Sequence, residues 1–256
     1  MSKISNAFKN GKAFIGFLTA GDPSLEKTEK FVLEMVKAGA DLIEIGIPFS
    51  DPIAEGEVIQ RANIRALANG TTMDKVFETV KRIRQKTQVP LVFLTYLNPV
   101  FTYGYDHFFR ECSEYGIDGV IIPDIPFEEK GELMPFSDKY NVDIISLIAP
   151  TSEERINKLA SCARGFVYCV SSKGVTGVRN EIKTDLQSIV SSVRSATNVP
   201  VAVGFGISSP QQASEISKYA DGIIVGSAIV KIIEEYGNDA ATPLFDYVSK
   251  IKQSII

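Results

Sequence analysis

Glu44 and Glu55 are the side chains best suited by type and placement to do chemistry. Glu44 sits in DLIEIGIPFSDP, residues 41–52, among Leu42, Ile43, Ile45 and Ile47. Branched apolar residues in near-unbroken succession make a strand covered on both faces, where an ionised carboxylate loses its hydration. Such a glutamate is either a core residue paired with a neighbouring donor or a general acid/base whose pKa is raised by apolar surroundings. The residues just after the strand favour the acid/base. Pro48, Pro52 and Gly56 mark a non-helical loop that carries Ser50, Asp51, Glu55 and Glu57, so a second carboxylate reaches the same mouth.

Other chemistries are hard to assemble. His107 is the only histidine, and Cys112, Cys162 and Cys169 show no CxxC spacing, so a zinc site or a Ser-His-Asp triad lacks parts. The three cysteines read as reduced, mostly buried thiols. A net charge of −4 and a pI near 5.3, with basic residues scattered, argue against a nucleic-acid surface. MSKISNAFKNGK has no apolar signal core and no run is long enough for a membrane span, so a cytosolic protein is expected.

Two more groups of residues suggest a ligand. GFGISSP (204–210) and VGSAIVK (225–231) place Gly204, Gly206 and Gly226 at strand ends. Glycine lets the backbone approach a ligand, and N–H groups at a following helix start hold an anion without a basic side chain. Glycines that merely permit turns are the simpler reading, but two such turns in succession favour phosphate. SSKGVTGVRN (171–180), with Gly174 and Gly177, is either a lid or a plain surface loop, and Gly177 could add an amide to the anion site. Tyr96 and Tyr168 lie in apolar strands, where most tyrosines only pack. Asp124, in VIIPDIP, is a further carboxylate at a strand end.

The elements that must position these residues alternate regularly. Apolar segments begin at residues 13, 41, 90, 119, 142, 165, 199 and 221. Helical patterns separate them: Leu25, Phe31, Val32, Met35 and Val36 recur at helical spacing, as do Met73, Val76, Phe77, Val80 and Ile83. Asp22 and Pro23 look like an N-cap and first helical position, NPVFTYG like a loop, and 127–140 like one helix. Thr151 with Glu154, and Thr184 with Gln187, have the spacing of helix starts.

Eight strands without polar alternation imply a parallel sheet buried on both faces, and eight such units suggest an α/β fold of the closed (β/α)8 TIM-barrel kind with extra short helices. An open doubly wound sheet is the alternative, but TAGDPS stands where a GxGxxG turn would be. With 256 residues the chain could hold two small domains, yet no linker interrupts it, and a single barrel domain over 1–256 is expected. Ligands of a barrel sit at the C-terminal strand ends.

LIEIGIPFSDPIAEG, SKGVTG, GFGIS and GSAIVKIIE together resemble the tryptophan synthase alpha chain family, in that family's order and spacing over nearly the whole chain. The resemblance implies retro-aldol cleavage of indole-3-glycerol phosphate to indole and glyceraldehyde 3-phosphate. It implies no cofactor in this chain, with pyridoxal phosphate in a beta chain partner, expected as an alpha2-beta2 tetramer. By position, Glu44 matches the catalytic glutamate, Glu55 the loop carboxylate that is usually aspartate, and Tyr168 a tyrosine beside the catalytic carboxylate. Phe17, Ile59, Leu94, Tyr96 and Phe205 fall on the indole pocket. Gly177, Gly206, Gly226 and Ser227 fall on the phosphate site, and Thr176 on the loop threonine that helps close it. The family's common ADGP reads AEGE here, at residues 54–57. A lyase that releases free indole by itself, and a weakly catalytic activating subunit, are the rival readings.

Overall fold

The structure is a computed structural model that describes residues 3–150, 153–170, 181–204 and 206–256, without the side chains of 181–185. Among these residues, nine parallel strands form one sheet. They are β1 (Ala13–Thr19), β2 (Leu42–Gly46), β3 (Leu91–Leu94), β4 (Gly119–Ile121), β5 (Asp143–Ile144), β6 (Ser146–Ile148), β7 (Val167–Val170), β8 (Val201–Gly204) and β9 (Gly222–Val225). Their order is β5-β4-β3-β2-β1-β9-β8-β7-β6. Its two ends, β5 and β6, are consecutive in the chain, so the sheet returns on itself as a barrel.

The expected fifth strand over 142–149 is therefore divided. Its first half pairs with β4 and its second with β7, and Ile145 lies between the two, its N–H bonded to the Val120 carbonyl at 2.9 Å. The ladder changes neighbour at that residue. Eight chain segments thus close a barrel that counts nine strands.

The helices surround the sheet: α1 (Leu25–Lys37), α2 (Glu57–Ala68), α3 (Met73–Arg84), α4 (Leu97–Tyr103), α5 (Tyr105–Tyr115), α6 (Met134–Tyr140), α7 (Glu153–Ser161), α8 (Glu181–Ala196), α9 (Pro210–Ser217), α10 (Ser227–Tyr236) and α11 (Ala241–Gln253). The 3.6-residue stripes bury as expected. In α3, Val76, Phe77, Val80 and Ile83 are buried, and the Phe77 ring meets Phe93, Tyr103, Phe108 and Tyr115 at 5.4–6.0 Å. Burying one such ring contributes roughly 1.5–3 kcal/mol, which is why the stripe outweighs the charged residues on the other face of α3.

Several local expectations are corrected. The N-cap of α1 is Ser24, which accepts from Lys27 N–H at 3.2 Å; Asp22, two residues earlier, is paired with Arg65 instead. NPVFTYG lies mostly within the helix α4, whose first N–H, that of Leu97, is bonded from outside its own sequence, by Asp124. The span 127–140 is a 3-10 helix (Phe127–Glu132) followed by α6, with Pro135 in the first turn of α6 as the reason for the restart. The helix α8 starts at Glu181, ahead of Thr184. Thr151 lies outside the described residues.

The barrel interior is filled by Ile15, Leu42, Val92, Ile121, Phe166, Ala202 and Ile224. Ile4, in a short 3-10 helix (Lys3–Phe8), packs into that same cluster. Gly119 and Gly165 leave it room, since a Cβ on either would come within 2.9–3.1 Å of Ile4 Cδ1. Side chains thus fill this part of the barrel, and the strands deliver their C-termini at the other end. Among the described residues, no helix is long and apolar enough to cross a membrane.

Candidate active site

Register decides what Glu44 faces. Phe17 and Val92 are its Cα partners on β1 and β3, so with a two-residue period these three side chains share the barrel's inner face. Glu44 is 1% exposed, and its Oε2 has no hydrogen-bond partner among the described residues. Burial, and then the charge of Glu55, push its pKa from 4.5 to about 8. It is therefore protonated at neutral pH, close enough to ionising to both give and take a proton.

Two rings frame it, and glycines make space for both. A Cβ on Gly46 would lie 2.7 Å from the Phe17 ring, and one on Gly204 would lie 2.6 Å from the Tyr168 hydroxyl. Side chains at those two positions would displace the walls of the pocket. Tyr168 faces the same interior from β7, and burial with the Glu44 charge raises its pKa. Leu94 and Ile59 pack with Phe17 in one small apolar group that also contains Ala62 and Val230. The resulting wall suits a flat aromatic ligand beside a carboxyl group.

Glu55 lies at the mouth, half-buried, in the connection between β2 and α2. Asn63 donates to its Oε2 at 2.6 Å, the Tyr96 hydroxyl also bonds it, and Gln60 donates to its backbone carbonyl at 2.8 Å. Burial pushes its pKa up to about 7 against the pull of those two side-chain donors. Tyr96 additionally accepts the Ala54 N–H at 3.1 Å, so the residue before α4 holds the loop at two successive residues. Asn63 and Gln60 were not anticipated from sequence. The available signal was a polar side chain on the face of α2 that otherwise buries Ala62 and Ala66.

Asp124 is engaged elsewhere: both its oxygens accept the Leu97 N–H, at 2.9 and 3.2 Å, at the start of α4. Gly226 and Ser227 stand at the start of α10, where no side chain caps the helix. The contrast with α9 is informative, because there Ser209 and Gln212 form a capping box and Gln212 also takes the Ser208 N–H. The exposed amides of α10 suit an anion. Gly206 has φ +74 and nothing within 4 Å of where a Cβ would be, so space is open beside it. Thr176, Gly177 and Phe205 lie outside the described residues, as does the 171–180 segment.

A parallel barrel with two electrostatically coupled carboxylates at its C-terminal mouth belongs to the class of (β/α)8 acid/base enzymes. The profile of the family described as tryptophan synthase alpha chain matches residues 4–254. The tryptophan synthase alpha chain of Lactiplantibacillus plantarum is 49% identical over 256 residues, covering 100% of this chain and 97% of that one. That of Lacticaseibacillus casei is 47% identical over 255 residues, covering 100% and 96%. Among solved structures, the Legionella pneumophila alpha chain superposes with a TM-score of 0.90 at 35% identity, covering 100% and 97%. The tryptophan synthase a2b2 complex of Pyrococcus furiosus gives 0.88 at 37% identity, covering 95% and 99%. The chain belongs to the tryptophan synthase alpha chain family. It is accordingly a carbon–carbon lyase of tryptophan biosynthesis that cleaves indole-3-glycerol phosphate alongside a beta chain; alpha chains carry no cofactor, and pyridoxal phosphate belongs to the beta chain.

Proposed function

We propose that Glu44 is the proton shuttle of this cleavage and Glu55 the carboxylate that faces the indole nitrogen. Retro-aldol cleavage needs a proton delivered to indole C3, a proton removed from the glycerol hydroxyl next to the ring, and the bond between those carbons broken. The electron pair of that bond returns to the ring as the aldehyde forms. A single group that starts protonated can deliver the first proton and, as a carboxylate, collect the second. The burial of Glu44 and its pKa near 8 support that role, and this is the observation that carries the reading.

While C3 is protonated the ring nitrogen carries positive charge, and an ionised Glu55 stabilises it. Phe17, Ile59, Leu94, Tyr96 and Phe205 form the indole pocket in this reading, with Tyr168 beside the shuttle. Gly177, Gly206, Gly226 and Ser227 receive the phosphate, with Thr176 aiding closure. The uncapped start of α10 supports the anion site. Asp124 acts through α4 at the edge of the pocket.

We read residues 1–256 as one domain, since strands from both ends of the sequence, β1 and β9, are paired in the same sheet. A cytoplasmic location fits a biosynthetic enzyme without a membrane-crossing helix among the described residues. Glu44→Gln keeps the shape and removes the proton, so the purified chain, assayed on indole-3-glycerol phosphate with and without beta chain, should lose at least ~10²-fold in rate. Near-normal turnover by that variant would end the case for Glu44. Full activity without beta chain would mark a self-sufficient lyase.

A further inference from the structure

The grip of α2 on Glu55 points to a residue that the reaction needs but that touches no reacting atom. We propose that Asn63 is the positioning residue that aims Glu55 into the pocket and keeps it as a carboxylate. The proposal rests on Glu55 as the group facing the indole nitrogen.

Asn63 is 3% exposed, an amide on the buried side of a helix whose neighbours there are alanines. A buried amide is costly unless it is bonded, and its bond is to Glu55 Oε2 at 2.6 Å, short enough to be charge-assisted. Gln60, three residues earlier on α2, holds the Glu55 backbone carbonyl at 2.8 Å. One helix therefore fixes residue 55 at both its backbone and its side chain. The helix itself is tied down by Arg65, which grips the buried Asp22 through two bonds of 2.8 Å and reaches Glu234 of α10 at 2.9 Å. The carboxylate is thus referred to the β1 connection and to the helix whose start would hold phosphate.

The donor also selects a protonation state. An N–H aimed at a carboxylate stabilises the ionised form, and here it works against burial. Among the described residues, the titratable groups around Glu55 are Glu44 on β2 and Tyr96 just after β3, with Asp124 beyond Tyr96 and Tyr168 beyond Glu44. None of these is cationic. Among the described residues, Asn63 and the Tyr96 hydroxyl are the side chains that favour the anion, and Asn63 bonds Glu55 alone whereas Tyr96 also holds Ala54.

The test is the pH dependence of kcat and KM for indole-3-glycerol phosphate in the alpha–beta complex, for Asn63→Ala and Asn63→Asp, each made in the wild-type chain and in Glu55→Gln. In the wild-type chain the acid limb of kcat should move up by about one pH unit, with a fall of about fivefold at pH 7 and KM changed less than about threefold. In the Glu55→Gln chain the same substitutions should cost nothing further, because Asn63 acts through Glu55. Asn63→Asp retains the shape while turning a donor into a like charge, so it carries the test if the alanine variant does not fold. An unmoved limb, or an equal loss in both backgrounds, overturns the proposal for Asn63 while a weakened Glu55→Gln leaves the role of Glu55 standing. If Glu55→Gln alone keeps full kcat, the role of Glu55 falls and this proposal falls with it.

Discussion

Glu44→Gln should make the protein more stable as it makes it inactive, and the gain should depend on pH in a calculable way. In the unfolded chain Glu44 ionises near 4.5; in the fold it ionises near 8. Below pH 4.5 both states hold the proton and the carboxyl imposes no pH-dependent cost. As the pH rises from 4.5 to 8 the unfolded chain releases a proton that the folded one keeps, and stability falls throughout that window before levelling off. At about 1.4 kcal/mol per unit, the loss is roughly 3 kcal/mol at pH 7 and roughly 5 kcal/mol above pH 8. Glutamine does not titrate and escapes this loss, though its amide must also be buried, at a pH-independent cost of about 1–3 kcal/mol.

The absolute difference between variant and parent thus has an offset, but its slope does not. Between pH 5 and pH 8 the stability of Glu44→Gln relative to wild type should grow by roughly 4 kcal/mol. Urea melts followed by far-UV circular dichroism at pH 5, 6, 7 and 8 measure this directly. A difference that stays constant across those four conditions would show that Glu44 does not titrate there, and the shuttle would lose its physical basis.

The two raised values also set the rate profile. Glu55 must be ionised, which fails as the pH falls below about 7, and Glu44 must begin protonated, which fails as it rises above about 8. The profile of kcat should therefore peak between these values, with both limbs belonging to the coupled pair, and a flat profile from pH 6 to 9 would contradict it. Glu55→Ala should lower kcat by about 10²-fold while changing KM much less, because the charge matters chiefly in the transition state; equal effects on both would make it a binding group only. Glu55→Asp shortens the side chain by one methylene and loses its reach to Asn63, so its kcat should fall between those of Glu55→Ala and wild type. Gly206→Val places a branched side chain at φ +74 in open space, so the chain should fold with modest loss while KM rises about tenfold or more; an unchanged KM would move the phosphate elsewhere.

Much was legible in the sequence because it depends on local period. Unbroken apolar runs marked the strands as buried on both faces, the 3.6-residue stripes marked which side of each helix faces them, and Glu44 stood out because a carboxylate breaks such a run. Glycines at strand ends carried a similar signal, although their use as space for the Phe17 and Tyr168 rings emerges only when strands are set side by side. What tertiary structure decided is which polar groups meet across separate elements. Asp22 reads as a helix cap until Arg65 arrives from α2, and NPVFTYG reads as a loop until Asp124 arrives from beyond β4 to bond the start of α4. The fifth strand divides because its two neighbours in the ring draw on different halves of it. Glu55 could be placed at the mouth from sequence, but its orientation and its charge depend on Asn63, Gln60 and Tyr96. A hydrogen bond between residues on different elements leaves no periodic trace in the chain, since it is set by how those elements pack and not by the spacing within either one.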